Sequence, residues 1–391
     1  MYKDRIKKQR KIFLLFIAIL ITGTILVIET YAWFIGTSTV QTNEFNITVS
    51  STIGLELSID ADPDHWQANS ITINPATIES VFSNNNNKVP TEGLIPLSSN
   101  GLIDSTGSGL ALYEKTSLSA SYGGYRLISN RISNTMANEL DGYFVFDLYI
   151  RNGTGQTYNS EFNEGGAEDV YLTPESNAVS VANGNAATTH GVANSLRVGF
   201  FEIGRIKADG YSAATARSIT CAGGTGITSV CPTTQNLDSR RTYTWNIWEP
   251  NHDVHTSELV NYFNRICKKR NNSDGTYTTT ACDTLTTTSN VPTYAINSAV
   301  GASDNVDIYD GINERTSPKL TQMVTYKTSD ATNLTSSKPT LIRLAGNSIT
   351  KVRVYIWLEG QDVDNYDLIS NDASVRINFG LTKDKFVLSN S

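Results

Sequence analysis

The stretch NEFNITVSSTIGLELSID, residues 43–60, decides the fold because its apolar residues recur at every second position. Phe45, Ile47 and Val49 alternate with polar residues, and residues 53–59 continue the alternation. A period of two places apolar side chains on one face of a β-strand. The stretch therefore predicts two consecutive strands at the start of a β-rich domain.

Four later segments also predict strands: three alternate in the same way, SLRVGFFEIGRI (residues 195–206), TKVRVYIWLEG (350–360) and SVRINFGLT (374–382), and YFVFDLYI (143–150) is a dense apolar run. Strong strands thus lie in the middle and at the end of the chain as well as near its start. Together they predict an all-β fold, a jelly-roll-like antiparallel β-sandwich in which the first and last strands meet.

An export signal precedes these strands. Residues 1–11 hold six basic residues and one acidic residue, and residues 12–28 (IFLLFIAILITGTILVI) contain no charge. As a helix the apolar run is about 26 Å long, which is short for a membrane span and long for the core of a signal peptide. Positive residues before such a run stay cytoplasmic, so we expect residues 12–28 to enter the membrane and residues 33–391 to form an extracellular domain.

The step ETYAWF, residues 29–34, decides whether the chain stays attached to the membrane. Thr30 and Ala32 occupy the −3 and −1 positions of a signal peptidase cut before Trp33. We favour this cut, which makes residues 1–32 a signal peptide and signal peptidase a processing partner. The alternative is that residues 1–32 remain as an anchor helix.

Composition fits an extracellular location. Only 18% of the residues are charged, and the net charge of −7 combines a basic start with an acidic body. Low charge with abundant Ser, Thr, Asn and Gly is typical of an extracellular β-rich domain. An acidic body argues against nucleic acid as a partner, because nucleic acid binds basic surfaces.

Four cysteines, Cys221, Cys231, Cys267 and Cys282, follow the apolar run. An even number in an exported chain predicts disulfides, and pairing between neighbours closes the shortest loops. We therefore predict Cys221–Cys231 and Cys267–Cys282. Both bonds would stiffen a segment at about residues 207–290 that we interpret as an insertion into the sandwich.

A zinc site is the alternative use of two of these cysteines. His252 and His255 precede Cys267 and Cys282, but no CxxC spacing supports the site. The local sequence HDVHTSE also lacks the HExxH pattern, in which two histidines stand one helical turn apart with a Glu beside the first. A solvated loop is the simpler interpretation.

Two acidic groups are weak calcium candidates: Asp304, Asp307 and Asp310 in one, and Asp362, Asp364 and Asp367 in the other. Neither has the Gly and distal Glu of an EF-hand loop, and acidic turns are common without an ion. We prefer the second group because a predicted strand precedes it. No nucleophile elbow, P-loop or dinucleotide fingerprint is present, so we predict a protein that is not an enzyme and needs no cofactor.

The run TYAWFIGTSTVQTNEFNITVSSTIGLEL, residues 30–57, resembles the start of the TasA/camelysin-like exported proteins of Gram-positive bacteria. The segment LAGNSITKVRVYIWLEGQD, residues 344–362, is similar to a late strand of that family. The resemblance implies a jelly-roll sandwich, a cut before Trp33 by a dedicated signal peptidase, and assembly into surface or biofilm-matrix fibres. In such fibres the freed N-terminal strand adds to the neighbouring subunit.

Three functions follow as expectations. The first is an exported structural or cell-surface protein that self-associates by donating its N-terminal strand. The alternative is a membrane-anchored monomer that acts as an adhesive or ligand-binding module and pairs this strand within its own sandwich. The third is a secreted metalloprotease, a label given to camelysin-like relatives, which the absence of HExxH disfavours.

Overall fold

The computed structural model describes the chain between residues 46 and 385, with gaps. The described residues are 46–51, 54–74, 87, 90, 93–97, 99, 110, 112–121, 124–131, 142–153, 157–160, 162, 166–182, 185–186, 191–231, 245–251, 325–327, 340–360 and 374–385. They form an almost entirely β structure.

The strands are β1 (Asn46–Ser51), β2 (Leu55–Ser58), β3 (Ser70–Ile73), β4 (Tyr113–Ser121), β5 (Gly124–Arg131), β6 (Phe144–Asn152), β7 (Glu168–Leu172), β8 (Asn177–Ala182), β9 (Asn185–Ala186), β10 (Leu196–Lys207), β11 (Thr228–Ser229), β12 (Trp245–Glu249), β13 (Thr325–Lys327), β14 (Ile342–Leu344), β15 (Ser348–Leu358) and β16 (Ser374–Lys385). A 3₁₀-helix spans Gly191–Asn194, and a short α-helix, α1, spans Ala213–Arg217.

Two sheets pack face to face. Sheet I has the strand order β14-β7-β16-β1-β3, with β8 also paired to β16 and β9 paired to β8. Sheet II has the order β13-β12-β10-β15-β6-β2, with β11 paired to β10. The chain passes repeatedly from one sheet to the other, as it does in a jelly roll. The predicted all-β sandwich is confirmed.

The first and last described strands meet in sheet I, as the sequence predicts. β1 pairs with β16 from Asn46↔Arg376 to Ser51↔Leu381, and the pairing is parallel. The other neighbour of β1 is β3, which is antiparallel to it. Strands at opposite ends of a chain need no short connection, so a parallel pair forms here as easily as an antiparallel one.

The space between the sheets is filled with apolar side chains. Sheet I contributes residues such as Val49 and Phe379, and sheet II contributes residues such as Phe146, Phe200 and Val354. The central strand β16 of sheet I has an exposed position, Arg376, between the buried Val375 and Ile377. This is the half-buried pattern of a sheet with one wet face.

Sheet II is buried on both faces. All eleven residues of β15 are buried, and a second apolar cluster covers the face that points away from sheet I. The cluster contains Tyr143, Tyr355 and Trp357 together with Ala216 and Ile219 from outside the sheet. We call this side of sheet II the covered face. The alternation in the sequence marks only the face of β15 that packs on sheet I.

Ten of the sixteen described strands, among them β4, β5 and β12, lie where no strand was predicted from the sequence. β4 and β5 pair with each other as a separate two-stranded sheet, in residues whose apolar positions show no clear alternation. β12, which lies within the predicted insertion at about residues 207–290, pairs with β10 and belongs to sheet II.

Candidate functional site

Three charged side chains lie in the centre of the covered face. Asp147 of β6 stands opposite Arg353 of β15, and Lys351 precedes Arg353 by two positions. Their exposed fractions are 0%, 3% and 3% for Asp147, Lys351 and Arg353. Alternate residues of a strand share a face, so the strand register brings the three groups together. We call them the Asp147 cluster.

Both carboxylate oxygens of Asp147 are paired. Arg353 donates from Nε to Oδ1 at 2.8 Å and from Nη2 to Oδ2 at 3.1 Å. Lys351 Nζ lies 3.1 Å from Oδ2. The backbone N–H of Asp147 donates to Oδ1 of Asn87 at 2.8 Å. A two-point Arg–carboxylate contact is among the stronger polar interactions in proteins, so the cluster holds β6 and β15 firmly in register.

The charges of the Asp147 cluster shift one another's pKa values. Burial raises the pKa of Asp147, but the charges and hydrogen bonds of Arg353 and Lys351 outweigh it and bring this pKa below its usual value. Burial lowers the pKa of Lys351, and Asp147 offsets only part of the effect. Burial also lowers the pKa of Arg353, but Asp147 outweighs it and the net shift is upward. The carboxylate is therefore ionised between two buried cations.

The segment of residues 208–231, the cover segment, packs on this face. Its helix α1 begins after Ser212, whose Oγ accepts the N–H of Thr215 at 3.1 Å and caps the helix. Lys351 Nζ donates to the backbone oxygen of Arg217 at 3.1 Å, and Arg217 Nε donates to the backbone oxygen of Asp60 at 2.6 Å. The Asp147 cluster thus extends to the cover segment and to the turn after β2.

A disulfide closes the cover segment. Cys221 is bonded to Cys231, with 5.2 Å between their Cα atoms, which confirms the predicted pairing. β11 pairs with β10 at Gly204, where an added Cβ would lie 2.7 Å from the backbone oxygen of Thr228. Only glycine permits this close approach of two backbones.

Two further buried ion pairs involve sheet II. Arg197 Nε lies 3.4 Å from Glu249 Oε1, and Arg205 Nη1 lies 3.0 Å from Glu202 Oε1. Burial raises the pKa of Glu202 to about 7, although Arg205 opposes the shift. The guanidinium of Arg205 also stacks over Phe162 at 4.2 Å from the ring centre.

The turn after β2 gathers several acidic groups. Asp60 Oδ2 lies 2.7 Å from His65 Nδ1, and Asp60 Oδ1 accepts the N–H of Asp62 at 2.9 Å. The hydrogen bond to Asp60 raises the pKa of His65. Burial raises the pKa of Asp60, but the bonds from Asp62 and His65 outweigh it and lower this pKa. The turn is thus organised by its own side chains.

The buried charged groups of the covered face form a stabilising network. The ionised groups of the Asp147 cluster are bound by partners within the chain, and the cluster joins β6, β15 and the cover segment. Among the described residues, no group of three or more His, Cys, Asp or Glu side chains could hold a metal ion. The network fixes the covered face and the surface built on it.

Most of the sites predicted from the sequence lie outside the described residues: the apolar run 12–28, the processing residues Ala32 and Trp33, Cys267 and Cys282, His252 and His255, and the calcium candidates Asp304, Asp307, Asp310, Asp362, Asp364 and Asp367. Within the described ranges, no helix is long and apolar enough to cross a membrane.

The fold and its network define a two-sheet β-sandwich whose second sheet is covered on its outer face. No family model, no curated protein and no solved structure matches the chain. The resemblance to TasA/camelysin-like proteins remains a prediction from residues 30–57 and 344–362.

The buried charges of sheet II were not predicted from the sequence. Asp147 stands inside the apolar run YFVFDLYI, and Lys351 and Arg353 alternate with valines in TKVRVYIW. A charge in a strand with apolar neighbours on both sides is a signal that both faces are buried, because parallel or covered strands read as nearly continuous apolar runs. The opposite signs of Asp147 and Arg353 could then have suggested that the two strands pair.

Proposed function

We propose that this chain is an exported structural protein of the cell surface or extracellular matrix. The observation that carries the proposal is the Cys221–Cys231 disulfide within the packed cover segment. Disulfides persist in oxidising compartments and are rare in the cytosol. The basic start and the apolar run of residues 12–28 supply the matching export route.

We further infer that residues 33–45 mediate self-association after a cut between Ala32 and Trp33. This segment is aromatic at its start and carries Ile35, Val40 and Phe45. Its 13 residues span about 43 Å when extended, at about 3.3 Å per residue, which is enough to reach a neighbouring molecule. Adding an apolar strand to the edge of another sheet buries its side chains and pairs its backbone.

The pairing of β1 limits which residues are donated. β1 lies between β16 and β3, and only residues 52–54 separate it from β2 in the opposite sheet. Removing β1 from its own sheet would break backbone pairing on two sides and expose the buried Val49. The donated strand is therefore residues 33–45, while residues 46–51 stay with their own subunit.

The mass of the exported protein tests the first step. We expect the extracellular form to begin at Trp33, with the Cys221–Cys231 bond intact by non-reducing peptide mapping. Alanine to arginine at the cut site (Ala32→Arg) should block cleavage, because signal peptidase needs a small residue before the cut. An exported form that still carries residues 12–28 would contradict the free-strand mechanism.

Electron microscopy of purified protein tests assembly. A variant that begins at Trp33 should form filaments, and a variant that begins at Asn46 should remain monomeric with the same circular dichroism spectrum. A matched control replaces Phe34 and Ile35 with Ser in the longer variant, which keeps the length and removes the apolar contacts. Filaments of unchanged abundance from the variant starting at Asn46 would refute donation by residues 33–45.

The second candidate is a membrane-anchored monomer that presents an adhesive or ligand-binding surface. The observation in its favour is that β1 pairs within its own chain. For this candidate we expect that the N-terminus is not cleaved. We also expect light scattering in detergent to show a monomer. The same mass and microscopy experiments therefore separate the two proposals.

A further inference from the structure

The peptide bond between Asp62 and Pro63 is the one Asp–Pro bond in the 391-residue sequence. We propose that it is a self-cleavage site that opens in mild acid. The bond lies in the turn between β2 and β3, where Pro63, Asp64 and His65 are exposed. The site goes beyond the proposed export and assembly, because it divides the described sandwich itself.

The chemistry needs only water and a proton. The Asp62 carboxylate attacks the carbonyl carbon of its own residue, and the carbon–nitrogen bond to Pro63 breaks. The proline nitrogen leaves as an amine because it takes up a proton from the solvent. Proline favours this step because its nitrogen is part of a tertiary amide, more basic than an ordinary peptide nitrogen. Water then opens the cyclic anhydride of Asp62, so the two fragments together weigh one water more than the intact chain.

The turn prepares the groups that react. The backbone N–H of His65 donates to the Asp62 carbonyl oxygen at 3.0 Å, which polarises the carbonyl and stabilises negative charge developing on that oxygen. The N–H of Asp64 donates to Asp62 Oδ1 at 3.1 Å and restrains the attacking carboxylate within the turn. A reacting group held beside its target reacts faster than the same group in a mobile chain.

Neighbouring charges bear on the acid dependence. Asp60 holds the ring of His65 on one side of the turn. In the part of the chain that the structure describes, further charged or titratable groups around the turn are Asp64 on the same loop, Glu56 on β2, Tyr149 and Arg151 on β6, and Tyr211 and Arg217 of the cover segment. Mild acid acts on the leaving group, because the solvent supplies the proton that the proline nitrogen takes up as the bond breaks.

Cleavage would leave the sandwich assembled. β1 remains between β16 and β3, and β2 remains paired with β6. The nick would therefore convert the covalent link between residues 1–62 and the rest of the chain into a purely non-covalent one. A strand pair held in this way can exchange between molecules, which a continuous chain does not allow without unfolding.

The test follows the intact mass of the full-length chain at pH 4 and pH 7, with the same protein in guanidinium as the reference. We expect two fragments, a new N-terminus at Pro63, and a rate in the folded protein at pH 4 at least about tenfold above that in guanidinium. An intact folded chain, or a folded rate no higher than the denatured one, would overturn the proposal.

Three variants assign the chemistry. Asp62→Asn and Pro63→Ala should both abolish cleavage, which excludes a contaminating protease that cuts elsewhere in the loop. His65→Ala keeps the backbone N–H and should cleave nearly as fast as the parent, whereas His65→Pro lacks this donor and should fall to the denatured rate. Equal rates for the two His65 variants, each folded by circular dichroism, would show that the turn does not promote the reaction.

Discussion

At the residue scale, the covered face depends most on Asp147. Its carboxylate is the shared partner of Arg353 and Lys351, and all three groups are removed from water. Replacing a buried ion pair as a whole is often tolerated, but removing one member leaves an unpaired buried charge. The carboxylate therefore matters because of the two cations that it neutralises.

The variant Asp147→Asn should lower the free energy of unfolding by about 3–5 kcal/mol, because it leaves two buried cations without a counter-ion. Urea denaturation followed by tryptophan fluorescence measures the change. Asp384→Asn, on the exposed face of β16, is the matched control and should change stability by less than about 0.5 kcal/mol. Equal effects of the two substitutions would mean that Asp147 does not hold the cluster together.

The buried Glu202 gives stability a dependence on pH. Its pKa is about 7 in the folded protein against 4.5 for the ordinary carboxyl group. Between these values the folded state binds more protons than the unfolded state, so stability falls as pH rises from about 4.5 through about 7. His65, whose pKa is also raised, adds a loss in the same direction above its ordinary value of 6.5.

Glu202→Gln should reduce the loss of stability between pH 5 and pH 8, because glutamine does not ionise. Urea midpoints at the two pH values measure this loss. His65→Ala in the same background removes the second contribution and should flatten the profile further. A parent protein that is more stable at pH 8 than at pH 5 would contradict the assigned direction.

At the scale of elements, the cover segment depends on the close approach of β11 to β10. A Cβ at Gly204 would lie 2.7 Å from the backbone oxygen of Thr228 and 2.9 Å from Cγ2 of Ile219. Backbone cannot yield as a flexible side chain does, so the added atom must displace β11. The disulfide and the Lys351–Arg217 contact lie in the same segment and would be displaced with it.

Gly204→Ala should therefore destabilise the protein by about 1–3 kcal/mol and raise amide hydrogen exchange in residues 208–231. Gly153→Ala is the control, because an added Cβ there meets nothing within 4 Å. Hydrogen exchange with mass spectrometry locates the change. Unaltered protection of the cover segment in Gly204→Ala would show that β11 is not held against β10.

At the scale of the whole molecule, β1, the first described strand of the chain, pairs with the last one, β16. Its parallel pairing with β16 and antiparallel pairing with β3 complete the centre of sheet I. On its other edge β16 pairs with β8 and then with β7. Loss of β1 would therefore leave one edge of β16 unpaired and would open the core at Val49. The described strands of sheets I and II therefore depend on β1 to form one sandwich.

A truncation series tests this unit. Variants that begin at Trp33 and at Asn46 should unfold at the same urea concentration, because both retain β1. A variant that begins at Leu55 should lose several kcal/mol of stability or fail to fold, because it lacks a central strand. Equal stability of the variants starting at Asn46 and Leu55 would refute the central role of β1.

Much of the fold was predictable from local pattern. Alternation in residues 43–60, 195–206, 350–360 and 374–382, together with the apolar run 143–150, predicted β1, β2, β6, β10, β15 and β16, because a period of two has one structural meaning. Cys221 and Cys231 were paired correctly by their closeness in sequence. β4 and β5 were missed, since weak periodicity carries no such signal.

The candidate site could not be predicted because it depends on contacts between distant residues. Asp147 and Arg353 are 206 residues apart, and only the register of β6 with β15 places them together. The burial of Arg353 could not be predicted either, because it depends on the cover segment that packs on sheet II. A single sequence shows which residues alternate along a strand, but it does not show what lies against the second face.

The sequence by itself determined the β character of this protein, its segregated charge and the pairing of Cys221 with Cys231. These properties follow from spacing and composition, which act over a few residues. The tertiary structure decided that β1 and β16 run parallel, that sheet II is buried on both faces, and that Asp147, Lys351 and Arg353 form one buried cluster. Those features depend on long-range packing, in which the free energy of burying an entire face selects the partner of each strand.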